Sequence, residues 1–91
     1  MKIPIDLKIK YLNRRLDDVK KLRLNIDTND YSFAIKIGHQ IKGNAVTFEI
    51  PQIASIGSEI EKAAQGRDRE KLIILIQKME SLIFKVQKNV T

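Results

Sequence analysis

Apolar residues recur along the chain at spacings of three and four in four separate runs, which is the period of an amphipathic helix. Pro4 pre-sets a helical φ at a first turn, and Ile5, Ile9, Leu12, Leu16, Val19, Leu22 and Ile26 then predict a helix of about five turns. Asn25 to Asp30, N-I-D-T-N-D, holds side chains that compete for backbone hydrogen bonds, so it ends the first helix and caps the second. Ala34, Ile37, Ile41, Ala45 and Phe48 form the stripe of that second helix, expected from about Asp30 and loosening after Gly43-Asn44, with a break at Glu49-Ile50-Pro51. The third helix starts at Pro51 and puts Ile53, Gly57, Ile60 and Ala64 on one face with Ile56 beside them. Gly57 in mid-helix implies a close helix crossing, and Gly66 suits the left-handed position beyond the helix end. Asp68 caps a fourth helix striped by Leu72, Leu75, Ile76, Met79, Leu82, Ile83 and Val86, and widened by Ile73, Ile74 and Phe84, either because two neighbours pack on them, the expected case in a small bundle, or because part of the arc is a contact surface.

Short connections make neighbouring helices antiparallel, so the expected fold is all-α, an antiparallel up-down-up-down four-helix bundle formed by one domain over residues 1–91. Ninety-one residues support a single core and leave no room for a separate nucleotide site. The absence of Cys excludes a disulfide framework and a thiolate metal site. The longest fully apolar run, Leu72 to Ile76, is too short to span a bilayer, and the N-terminus has no signal-peptide core, so a soluble, cytoplasmic protein without membrane partners is expected.

A formal charge of +6 changes the picture by favouring an acidic partner. Lys2, Lys8, Lys10, Arg14, Arg15, Lys20, Lys21 and Arg23 crowd the first quarter. Asp6, Asp17 and Asp18 are interspersed and only two Tyr are available for stacking, so a solvated charged face is favoured over a nucleic-acid stripe.

The candidate chemistry lies in Phe33 to Phe48, which holds the only His. His39 falls roughly 160° from the centre of the second helix's apolar stripe, with Gly43 one turn on along the same outer face and Lys42 beside them. One His with no Cys and no ligand-spaced carboxylates does not make a usual zinc site. Ser32, Ile35, Lys36, Lys42 and Gly43 on that face make no triad, and no phosphate-binding glycine loop for ATP exists. What remains is His39 as a nucleophile: the ring nitrogen of an exposed neutral imidazole can accept a phosphoryl group. Lys42 would set a cation beside the added charge, and Gly43 would leave room for a partner's active site to close over the ring.

The stretch H-Q-I-K-G-N-A-V-T-F, His39 to Phe48, followed by I-P-Q-I-A and then Ile60-Glu61, resembles the histidine-containing phosphotransfer (HPt) domains of multistep phosphorelays, whose pattern is H-x-[LI]-K-G-[SN]-[SA]-x-x-[FL]-G before an apolar third helix ending in Leu-Glu. The resemblance implies that His39 is the phospho-accepting residue, that Lys42 assists electrostatically and that Gly43 makes room for the partner. Gln40 occupies a position the family varies and is a candidate for polar support. The implied partners are receiver domains of response regulators and a hybrid sensor kinase. Transfer would run reversibly between a receiver's aspartyl phosphate and the histidine, with no cofactor in this chain and Mg²⁺ supplied by the receiver. Ile35 and Lys36, one turn before His39, are candidates for the docking patch.

Glu49 stands where the family usually has Gly, which puts the bend after the second helix in question and adds a negative charge near the end of the site. Three other readings compete: an HPt-like docking or inhibitory module, a small basic nucleic-acid binder, and the phosphoacceptor helix of a sensor kinase. The last usually reads H-E-[LI]-[KR]-T-P, whereas Gly43-Asn44 follows the lysine here. Four stripes that already close a bundle imply a monomer.

Overall fold

A computed structural model describes residues 3–90, so Lys2 of the basic first quarter lies outside the described residues. Four helices follow in order, α1 (Ile5–Asp27), α2 (Ser32–Thr47), α3 (Pro51–Gln65) and α4 (Arg69–Val90). Each packs against its neighbours in sequence and α4 returns to α1, so the helices form a ring around one core. Cross-helix contacts set the directions. Arg69 at the start of α4 donates to the Ile26 carbonyl at the end of α1 at 2.6 Å, whereas Gln87 near the end of α4 donates to Asn13 at 2.9 Å. The bundle is antiparallel, as the short connections require.

The core is the set of stripes read from the sequence. Leu12, Val19, Leu22, Ile41, Ala45, Ile53, Ile60, Leu72, Ile76, Met79 and Ile83 are all buried. Two expectations fail at the edges of these stripes. Ile5 is exposed in the first turn of α1, and Ile73, Ile74 and Phe84 are 48, 57 and 53% exposed instead of packing on two neighbours. A helix in a four-membered ring meets only two others, and the 73, 74 and 84 positions lie on the arc left outside.

The charged face of α1 is not wholly solvated either. Arg15 and Asp18 are buried, paired at 2.8 Å, with the Arg15 guanidinium 4.6 Å over the Tyr11 ring. Burial pushes the Asp18 carboxyl up despite the opposing pull of Arg15. Its ionised form therefore costs stability above that raised pKa, and acidification relieves the cost. Half-buried Glu80 behaves oppositely. Its two oxygens accept from the Arg23 guanidinium at 2.9 and 3.0 Å, which holds its carboxyl low, so its contribution is lost as pH falls through that lowered value.

All three connections close in the same way. Beyond α1, α2 and α3 the residues Asn29, Glu49 and Arg67 take φ of 58, 63 and 52°, and in each case the next residue's N–H returns to a carbonyl five residues back. Gly66 has a φ of −83°, so the expected left-handed glycine is displaced by one position onto Arg67, whose guanidinium lies 4.9 Å over the Tyr31 ring. The second helix does not loosen at Gly43-Asn44 but runs regularly to Thr47. Burial raises the Tyr11 hydroxyl and keeps it a donor, and it donates to Asn44 Oδ1, so the Asn44 side chain is not free to compete with the helix backbone.

Glu49 thus makes the bend in the conformation where a glycine would be unstrained. Its carboxylate accepts from the Ile3 N–H at 3.0 Å and lies 3.6 Å from Lys8 Nζ. These are solvent-exposed contacts and are worth little, whereas a left-handed non-glycine residue carries a steric cost. Glu49→Gly is therefore expected to raise the melting temperature, and a thermal melt that fell would show that the Ile3 and Lys8 contacts outweigh the backbone term.

Candidate functional site

α2 and α3 form the closest helix pair, and two glycines make it so. A Cβ on Gly38 would lie 2.7 Å from both the Glu61 nitrogen and the Gly57 carbonyl oxygen. One on Gly57 would lie 2.7 Å from Ile41 Cγ2 and 3.0 Å from the Gly38 carbonyl oxygen. The backbones touch at this crossing, as the mid-helix Gly57 foretold, with Gly38 as its counterpart.

The crossing fixes what stands beside Gly38. The His39 side chain is 71% exposed, and its Nδ1 lies 3.0 Å from Oε2 of Glu61 on α3. Glu61 itself is only 16% exposed in its side chain. The helical face that carries His39 offers no orienting acid of its own. The acid comes from the next helix, held there by the Gly38 contact with its backbone.

An ionised carboxylate accepts a hydrogen bond and does not donate, so the pairing puts the ring proton on Nδ1 and leaves the Nε2 lone pair facing outward. Lys42, one turn on, is exposed and makes no ion pair among the described residues. Gly43 is exposed, and a Cβ there would meet nothing within 4 Å. Gln40 and Lys36 are exposed as well. Ile35 departs from its expected place: it is half-buried and packed against the core, which limits what it can give a partner.

The apolar residue on this face that the sequence reading missed is Val46, 61% exposed and seven residues beyond His39. Two turns of helix return it to within about 20° of the His39 direction. Its sequence signal was an apolar residue off the core stripe at that spacing.

A search with protein-family models matches the Hpt domain over residues 7–87. The chain belongs to the HPt family. A search of curated proteins and one of solved structures returned no significant match. The four-helix architecture is the one HPt domains share. Membership assigns this HPt chain a general role in histidine phosphotransfer within phosphorelays, among partners of the receiver-domain and kinase classes. No described helix is long and apolar enough to cross a membrane.

Proposed function

We propose that this HPt domain takes a phosphoryl group onto Nε2 of His39 from the aspartyl phosphate of a receiver domain and passes it back or onward to another. The observation that carries the proposal is the paired and exposed imidazole: Nδ1 against Glu61 at 3.0 Å, with Nε2 free on a face cleared by Gly43. In the forward step the Nε2 lone pair attacks phosphorus, the N–P bond forms as the acyl-phosphate O–P bond breaks, and the aspartate carboxylate leaves with the electron pair. The ring is then an N-phosphorylated imidazolium that keeps its Nδ1 proton. Glu61 opposes the positive charge that grows on the ring, so it stabilises the transferring state more than the resting one.

Lys42 opposes the charge of the incoming phosphoryl oxygens, and Gln40 offers them a polar neighbour. The acidic pocket and Mg²⁺ of the reaction belong to the receiver, and the excess positive charge of this chain suits such a surface. Lys36 and Val46 flank His39 along α2 and would meet the receiver around the transfer point, with half-buried Ile35 at the edge of the contact. Glu49 does not argue against transfer. It lies ten residues from His39, about 15 Å by helical rise, and its charge is directed at Ile3 and Lys8.

Incubation with phosphorylated receiver domains tests the reading: label should pass to this chain, be lost in acid and persist in base. Absence of label with every receiver class tried would overturn it. Glu61 supplies a second, graded expectation. Glu61→Gln keeps a hydrogen-bond acceptor for Nδ1–H but removes the charge, so transfer should slow about tenfold or more while the melting temperature changes little. Equal rates would reduce Glu61 to a structural neighbour of the ring.

A further inference from the structure

A groove of about 560 Å³ runs between α3 and α4, floored by Ile56, Ile74 and Leu82 and edged by Lys78, Ser81 and Lys85. It is remote from the face of His39. Ile56 and Glu61 are five residues apart on α3 and so point about 140° away from each other. Ile74 in its floor is 57% exposed, apolar surface that the bundle leaves uncovered.

The charge lining the groove is one-sided. No acidic residue among the described residues lines it, whereas Lys78 and Lys85 stand seven residues apart on its α4 wall. Two turns separate them, about 10.5 Å. Both are exposed and make no ion pair among the described residues. A second copy of this chain would bring like charges together, and a flat lipid surface would leave the concave floor unfilled.

We propose that the α3/α4 groove is a docking site for an acidic amphipathic helix of a partner protein, whose apolar face covers Ile56 and Ile74 and whose carboxylates, two turns apart, meet Lys78 and Lys85. Helix-in-groove recognition of this kind combines an apolar stripe with charges that set register and orientation. The site leaves the His39 face open, so the HPt domain would be held by one partner while another approaches the imidazole. The proposal stands on the groove alone and does not require that His39 be phosphorylated.

The test titrates the isotope-labelled chain with two sets of synthetic 21-residue helices that share a leucine face and carry either Glu or Lys on the flanking positions. The Glu set should bind saturably, shift the amide signals of Ile56, Ile74 and Ser81, and leave Gly43 unmoved. Ile74→Glu places a like charge in the groove and should weaken binding about tenfold or more, as for a central interface residue, with an unchanged melt because Ile74 is 57% exposed. The double variant Lys78→Glu, Lys85→Glu should transfer the preference to the Lys set. No saturable binding by the Glu set, equal binding by both sets, or shifts confined to α2 would overturn the proposal. Binding to phosphatidylserine vesicles, or a concentration-dependent dimer, that Ile74→Glu abolishes would overturn it in favour of a lipid surface or a second copy.

Discussion

Gly38→Ala is expected to destabilise the fold by about 2–3 kcal/mol, even though alanine is the better helix former by about 1 kcal/mol. The added methyl would lie 2.7 Å from two backbone atoms of α3, the Glu61 nitrogen and the Gly57 oxygen, and backbone cannot swing aside as a side-chain terminus can. Relief requires α2 and α3 to separate. That separation carries Glu61 away from His39 Nδ1, so the variant should lose the pairing as well as stability. Chemical denaturation measures the first effect and the histidine ring resonances the second. An unaltered midpoint would mean that the two helices do not touch at this crossing.

Five residues further along the same helix, Gly43 should respond with the opposite sign. A methyl there meets nothing within 4 Å, so Gly43→Ala is expected to stabilise the domain by up to about 1 kcal/mol. Larger residues should keep that stability and obstruct the approach of a receiver to His39, so that Gly43→Gln and Gly43→Leu slow transfer progressively with volume. The expected loss is large, because transfer requires the reacting atoms to come within about 3–3.5 Å and a side chain in the way prevents it. Transfer rates indifferent to volume at this position would remove the reason for assigning the α2 face to docking.

These two glycines show how much of the molecule was legible in the chain. The four helices and most of their buried positions follow from the three-four spacing of apolar residues, because burial of one face selects that period. Gly38 was invisible to the same reasoning, since a residue without a side chain adds nothing to an apolar stripe. Its signal was indirect: Gly57 implied a close crossing, and a close crossing needs a small residue on the facing helix too. The exposure of His39 followed from its angle on α2, whereas its pairing with Glu61 depends on how two helices pack. The burial of Arg15 and Asp18 was hidden in the same way, because each reads as one more charge on a charged face until α1 is docked. The left-handed position expected at Gly66 falls on Arg67, because glycine is the usual but not the required occupant, and Asn29 and Glu49 carry the same conformation at the other two connections, where no glycine marks it. Glu49 therefore leaves intact the bend that its departure from the family's Gly had put in question.

In the proposed relay step the phosphoryl group rests on one atom, Nε2 of His39. That placement is tested most directly by transferring phosphate from a phosphorylated receiver to the chain labelled with ¹⁵N in its single histidine, beside His39→Gln prepared in the same way. One phosphorus-coupled ring nitrogen, Nε2, is expected, with Nδ1 still protonated. The glutamine variant should carry no acid-labile phosphate and should melt as the parent does, because the replaced side chain is 71% exposed. Coupling at Nδ1, or acid-labile phosphate persisting on His39→Gln, would contradict that placement.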